Sequence, residues 1–118
     1  MWTFSQSTGE LLQNGKFEGT GYSGTGEGRN NPSMQDVPNV GPIPQGNYII
    51  GEAYDDDHLG PCVMHLDAED DTNTFGRSLF RIHGDNVNHD ASHGCIILGP
   101  SIRHIIADSG DDELTVVA

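Results

Sequence analysis

Apolar and polar residues alternate along this chain in short runs, and each run is closed by a turn signal. Trp2-Thr3-Phe4-Ser5-Gln6 has the period of two expected of a strand. Ser7-Thr8-Gly9 reads as a turn and residues 10–13 as the returning strand. Asn14-Gly15 is a hairpin signal, because both residues tolerate the positive φ of a type I′ turn. Residues 16–20 follow as a third strand, so the chain is predicted to open as a meander. Further strands are predicted over 47–50, 62–66, 78–83 and 113–117. In the 78–83 run, Leu79 and Arg81 face one way and Phe80 and Ile82 the other. Helical spacing occurs once. Pro100 suits a first turn, Ile102, Ile105 and Ile106 share a face, and Gly110 is a plausible stop.

Between these runs lie stretches without periodicity. Residues 21–32 carry four glycines, Gly21, Gly24, Gly26 and Gly28, and two asparagines, Asn30 and Asn31. Such a segment forms regular structure only at high entropic cost, so a loop is predicted through residue 39. A loop of this length in a small domain is often a lid or a binding wall. It is not a phosphate loop, since no Lys-Ser/Thr pair ends it and no helix pattern follows. Gly41-Pro42-Ile43-Pro44-Gln45-Gly46 is a rigid turn feeding a strand. The acidic runs at 55–58 and 67–74 read as solvated loops, and the first lacks the spacing of an EF-hand.

Composition narrows the function. With 118 residues, 16 Gly and 6 Pro, the chain fits one turn-rich, mainly β domain. Its five basic residues against 18 acidic ones give a net charge of −13. That argues against binding nucleic acid or anionic lipid, and for either a cationic ligand group or a basic partner protein. No apolar run approaches a membrane span, and residues 1–5 lack the features of a signal peptide. Two cysteines make no disulfide framework. Cys62, in Pro-Cys-Val-Met, reads as a core residue; pairing it with Cys95 would consume the more interesting thiol.

The chemistry concentrates in Phe80-Arg81-Ile82-His83-Gly84-Asp85 and Ser92-His93-Gly94-Cys95-Ile96-Ile97-Leu98. A thiol nucleophile needs a base and backbone N–H groups to hold the oxyanion it creates. Cys95 is the candidate nucleophile and His83, at a strand end, the candidate base. Asp85 or a backbone carbonyl near Gly84 would fix the imidazole tautomer. Gly94 permits a tight turn, and the Gly94 and Cys95 N–H groups are candidate oxyanion donors. Ser92 and His93 are expected to brace the loop or touch substrate. The same residue types also suit zinc: His83, His89, His93 and Cys95, with Asp85, supply enough ligands, although no CxxC pair is present. A zinc-binding hydrolase, or a non-enzymatic binding module, is therefore the alternative.

The His-Gly and Ser-His-Gly-Cys motifs resemble the signature of the L,D-transpeptidase catalytic domain. The whole chain resembles one branch of it, the small L,D-transpeptidase-like antibacterial effectors delivered by type VI secretion. Gly21-Tyr22-Ser23-Gly24, Asn30-Asn31-Pro32, the Gly-Pro-Ile-Pro-x-Gly-x-Tyr turn ending at Tyr48, and the two motifs above run in order across most of the sequence. The resemblance implies a β-sandwich or barrel of short strands with one short helix after Cys95, with residues 1–118 as a single catalytic domain. It implies a cysteine enzyme acting on peptidoglycan stem peptides, with Cys95 as nucleophile, His83 as base, and the Gly84 carbonyl, supported by Asp85, as the orienting group. It implies no cofactor. Tyr22, Ser23, Arg29, Asn30 and Arg81 are expected to bind substrate. A secretion apparatus and an immunity protein are the implied partners, and the periplasm of a target bacterium the site of action. Two departures stand out. The gap from His83 to Ser92 is shorter than in housekeeping L,D-transpeptidases, and Ile97 stands where many members carry Asn or Arg.

Overall fold

The computed structural model of the protein describes residues 1–88 and 91–118. Strands β1 (Trp2–Ser5), β2 (Glu10–Gln13) and β3 (Lys16–Thr20) form the predicted meander. Asn14 and Gly15 take φ values of 50° and 84°, as the type I′ reversal requires. After β4 (Tyr22–Ser23) come β5 (Gly46–Ile50), β6 (Tyr54–Asp56), β7 (Gly60–Ala68), β8 (Phe80–His83), β9 (Ile96–Ile97), the helix α1 (Pro100–Asp108) and β10 (Glu113–Val117).

The strands are ordered β3-β2-β1-β10-β5-β7-β8-β9-β4, with β6 paired on β7. Strands β1 and β10 run parallel, as do β8 and β9. The strands at the two ends of this order, β3 and β4, are consecutive in the chain and separated by Gly21 alone. The sheet therefore rolls until its edges adjoin, giving a nearly closed barrel with little unpaired edge. Gly21 sits at the seam, where a Cβ would run into the Ile97 carbonyl.

The inward faces of these strands bury Trp2, Phe4, Tyr48, Met64, Ile82 and Ile96 almost completely. Each such side chain contributes roughly 1.5–3 kcal/mol of burial. The mainly β class expected from the short alternating runs is what the structure shows.

Two local expectations change. The 21–39 segment is not unbroken loop: it holds β4 and two short 3₁₀ turns, Gly26–Gly28 and Pro32–Met34. On α1, Ile102 and Ile106 pack inward, but Ile105 is 46% exposed and Arg103 is buried instead. Residues 102, 103 and 106 form the inner stripe of a 3.6-residue helix, and 105 falls outside it.

Candidate active site

Parallel pairing of β8 with β9 sets Ile82 opposite Ile96 and His83 opposite Ile97. Cys95 is the residue before β9, so the same register puts it beside Arg81. Side chains alternate along both strands. Cys95 and His83 therefore project to one face while Ile82 and Ile96 go to the core. Both line a cleft of about 270 Å³, together with Leu79, Arg81, His93 and Gly94. A separate hollow of about 200 Å³ between α1 and the end of β5 is lined by Glu52, Asp111 and Asp112 and holds neither thiol nor imidazole.

His83 is buried, and its Nδ1 lies 2.8 Å from the Gly84 carbonyl oxygen. A neutral ring donating Nδ1–H to that oxygen leaves Nε2 with a lone pair, the tautomer a general base needs. Burial pushes the His83 pKa below the ordinary imidazole value, and the Arg81 and Arg103 charges push the same way. The Gly84 hydrogen bond and Asp85 oppose them without reversing the direction. Asp85 is turned elsewhere: it accepts from the Tyr22 hydroxyl at 2.6 Å and from the Asn86 N–H at 2.9 Å. The Gly84 carbonyl, rather than Asp85, is the group in contact with the ring.

Cys95 is half-buried and not disulfide-bonded. Burial raises its thiol pKa, and the Arg81 backbone N–H with the Arg81 and Arg77 charges offsets part of that rise. Both shifts act toward the neutral forms, thiol and imidazole. The thiol lies 3.9 Å from the Leu79 carbonyl oxygen.

The turn before Cys95 is built on Ser92. Its buried hydroxyl donates to the Cys95 carbonyl at 2.6 Å and accepts from the Gly24 N–H at 2.9 Å and the Gly94 N–H at 3.2 Å. Gly94 has φ 124°, and a Cβ there would lie 2.5 Å from an Arg77 guanidinium nitrogen. Glycine is required on both counts. Of the two N–H groups considered as oxyanion donors, that of Gly94 is already engaged by Ser92.

The Tlde1 domain, an L,D-transpeptidase-like type VI effector family, matches residues 18–113, which takes in β4, the His-Gly and Ser-His-Gly-Cys motifs and α1. The chain belongs to the Tlde1-domain family. No curated protein matches it. Among solved structures, the fold is similar to that of the LD transpeptidase LdtMt1 in complex with imipenem. The TM-score is 0.56 at 19% identity, over 98% of this chain and 57% of that one. The chain thus spans little more than half of that protein, and the likeness establishes the fold. The L,D-transpeptidase-like architecture expected from the two motifs is borne out.

Within this Tlde1 domain the sequence-predicted residues separate into two groups. Cys95, His83, Gly94, His93 and Arg81 come together around the cleft. Tyr22, Ser23 and Asn30 do not form its wall. Ser23 is fully buried, accepting from the Ile43 N–H at 2.8 Å and donating to the Gly94 carbonyl at 3.3 Å. Asn30 accepts from the Ser23 N–H at 3.1 Å. The Tyr22 hydroxyl joins Asp85 to the Ala91 N–H, and Arg29 stacks on its ring at 3.7 Å. Their hydrogen bonds run to Gly94, Ala91 and one another, so these residues brace the cysteine loop from behind.

Two arginines escaped the sequence reading. Arg77 is buried and donates to the carbonyls of Gln35, Pro42 and Gly41 at 2.6, 2.7 and 3.0 Å. It fastens the 35–42 segment behind the cysteine turn. Arg103 donates to the Leu98 carbonyl at 2.6 Å and lies beneath Gly84, where a Cβ would meet it at 2.8 Å. Their only signal in the sequence is scarcity, because just five basic residues are present. Among the described residues no group of three or more His, Cys, Asp or Glu side chains is arranged to hold a metal. His89, which the zinc alternative invokes, lies outside the described residues. No described helix is long and apolar enough to cross a membrane.

Proposed function

We propose that this protein is a cysteine enzyme that acts on peptidoglycan stem peptides, as an L,D-carboxypeptidase, an L,D-transpeptidase exchanging a terminal D-amino acid, or both. The observation that carries this reading is the His83 ring, held through Nδ1 by the Gly84 carbonyl, in one cleft with the free Cys95 thiol. Membership of the Tlde1-domain family supports the substrate class.

In the proposed reaction His83 Nε2 takes the thiol proton as Cys95 Sγ attacks the carbonyl joining the third stem residue to the terminal D-Ala. The Cys95 N–H faces the developing oxyanion. Collapse breaks the C–N bond, and the departing amine takes the proton back from His83. The thioester then passes its acyl group to water, giving the shortened stem, or to the amine of a D-amino acid or second stem, giving exchange or a cross-link.

The charge pattern favours a substrate with a free carboxylate. The net charge is −13, yet the Arg77, Arg81 and Arg103 charges all act on the Cys95–His83 pair. Arg81 lines the cleft with its Nε buried and unpartnered among the described residues. It is the side chain best placed for the terminal carboxylate. The acidic remainder of the surface then serves a basic partner, which in an effector is a cognate immunity protein. Delivery through a secretion apparatus and action in the periplasm of a target bacterium complete this reading.

The test is to incubate muropeptides with wild type and Cys95→Ala under reducing conditions and read the products by mass. Loss of one D-Ala marks hydrolysis, and a swapped D-amino acid marks exchange. Both are expected to vanish in Cys95→Ala. Unchanged substrate with wild type refutes the reading.

A further inference from the structure

The segment between β7 and β8 carries two large apolar side chains in backbone conformations that favour glycine. Phe75 has φ 56° and Gly76 φ 74°, and the Arg77 N–H closes the turn on the Thr74 carbonyl at 2.9 Å. This is a type I′ turn with phenylalanine where asparagine is the favoured residue. Three residues beyond Gly76, Leu79 has φ 65°. A bulky residue in the left-handed region is a genuine outlier, and such strain persists where the side chain serves a purpose.

Folding does not supply a purpose for Leu79. Its side chain is 74% exposed, so it gains little from burial. Its position is informative. Leu79 lines the cleft that holds Cys95 and His83, and two adjoining hollows share Ser78, Leu79 and Phe80 with that cleft. It therefore stands where three depressions meet, and its own carbonyl oxygen lies 3.9 Å from the thiol. Phe75 is 43% exposed and lines none of the three.

We propose that Leu79 is a specificity-determining residue that packs on the aliphatic side chain flanking the scissile amide of the stem peptide. The inference rests on the reaction proposed above. The left-handed backbone lifts the isobutyl group out of the sheet surface and into the path of substrate entering the thiol cleft. Strain at Leu79 is retained because the extended alternative would turn this side chain away from the cleft.

Relief of strain and loss of contact have opposite signs, which gives the test. Leu79→Gly and Leu79→Asn both suit the left-handed conformation, so each is expected to hold or raise the melting temperature. Each is expected to lower kcat/KM on muropeptides by roughly tenfold to a hundredfold, the range for losing a small apolar contact in a pocket. Leu79→Met restores an apolar side chain and is expected to retain most activity. Phe75→Asn relieves the neighbouring turn and is expected to stabilise without changing kcat/KM. The proposal is overturned if Leu79→Gly keeps full kcat/KM, or if Phe75→Asn loses as much as Leu79→Gly, which would make loop rigidity the cause. If wild type itself leaves muropeptides unchanged, the failure lies in the reaction and not in the role of Leu79.

Discussion

His83 Nδ1 and the Gly84 carbonyl oxygen are neighbours in sequence and hydrogen-bond partners at 2.8 Å. One residue thus supplies both the turn out of β8 and the acceptor that sets the tautomer of His83. Asp85, whose carboxylate would be the usual orienting group, is held instead by Tyr22 at 2.6 Å.

This arrangement sets the pH dependence. As the proposed base His83 must be neutral, and burial holds its pKa below the ordinary value. The acidic limb of kcat/KM is therefore expected to fall below about pH 6.5, the unperturbed imidazole value. Asp85 pulls the His83 pKa upward, so removing its charge moves the limb further toward acid. Asp85→Asn keeps an acceptor for Tyr22, and its pH–rate profile checks the direction. A limb above that of a free imidazole would refute the assignment.

The thiol should behave as a protonated group at neutral pH, since burial raises its pKa. Alkylation of Cys95 by iodoacetamide is expected to be slow at pH 7 and to keep rising through about pH 9, above the free-thiol value of about 8.5. A rate already at its plateau near pH 6 would instead indicate a resting thiolate–imidazolium pair.

Ser92 holds three backbone groups with one hydroxyl. Ser92→Ala leaves the Gly24 N–H, the Gly94 N–H and the Cys95 carbonyl without that partner. At about 1–3 kcal/mol for a buried group left unsatisfied, a total loss of at least about 2 kcal/mol is expected. A lower urea midpoint with unchanged m checks it. Activity should fall more steeply than stability predicts, because the displaced carbonyl belongs to Cys95, the proposed nucleophile.

Arg77→Lys keeps the charge but replaces a planar fork with a single ammonium. One ammonium cannot reproduce donation to the Gln35, Gly41 and Pro42 carbonyls in the same geometry. A loss of about 2 kcal/mol is expected in denaturant melts, together with reduced turnover. Equal stability of Arg77→Lys and wild type would show that the three contacts are dispensable.

Several features were legible in the chain alone. Period-two runs and Asn14-Gly15 identified the opening meander, because side-chain alternation and turn chemistry are local properties. Ser92-His93-Gly94-Cys95 and His83-Gly84 singled out the thiol and imidazole that the fold brings to one cleft, because each proposed role demands a residue type that few others satisfy. The helix was found, yet its inner face was misjudged at Ile105, since hydropathy favours isoleucine over the arginine that Leu98 and Pro61 in fact accept from.

Other features required the tertiary structure. Nothing local says that β1 pairs with β10, or that β3 and β4 close the sheet across Gly21. Pairing is a long-range choice made by the shared core. The same closure engaged Ser23 and Asn30, expected as substrate contacts, in hydrogen bonds behind the cysteine turn, and drew Tyr22 to Asp85 and Ala91. It also brought the Gly84 carbonyl to His83 Nδ1 and the Asp85 carboxylate to Tyr22. Both are close to His83 in sequence, but only the folded loop fixes which oxygen meets the ring. Residue types determined which chemistry was possible; the long-range packing of β4, β8 and β9 determined which groups are in place to perform it.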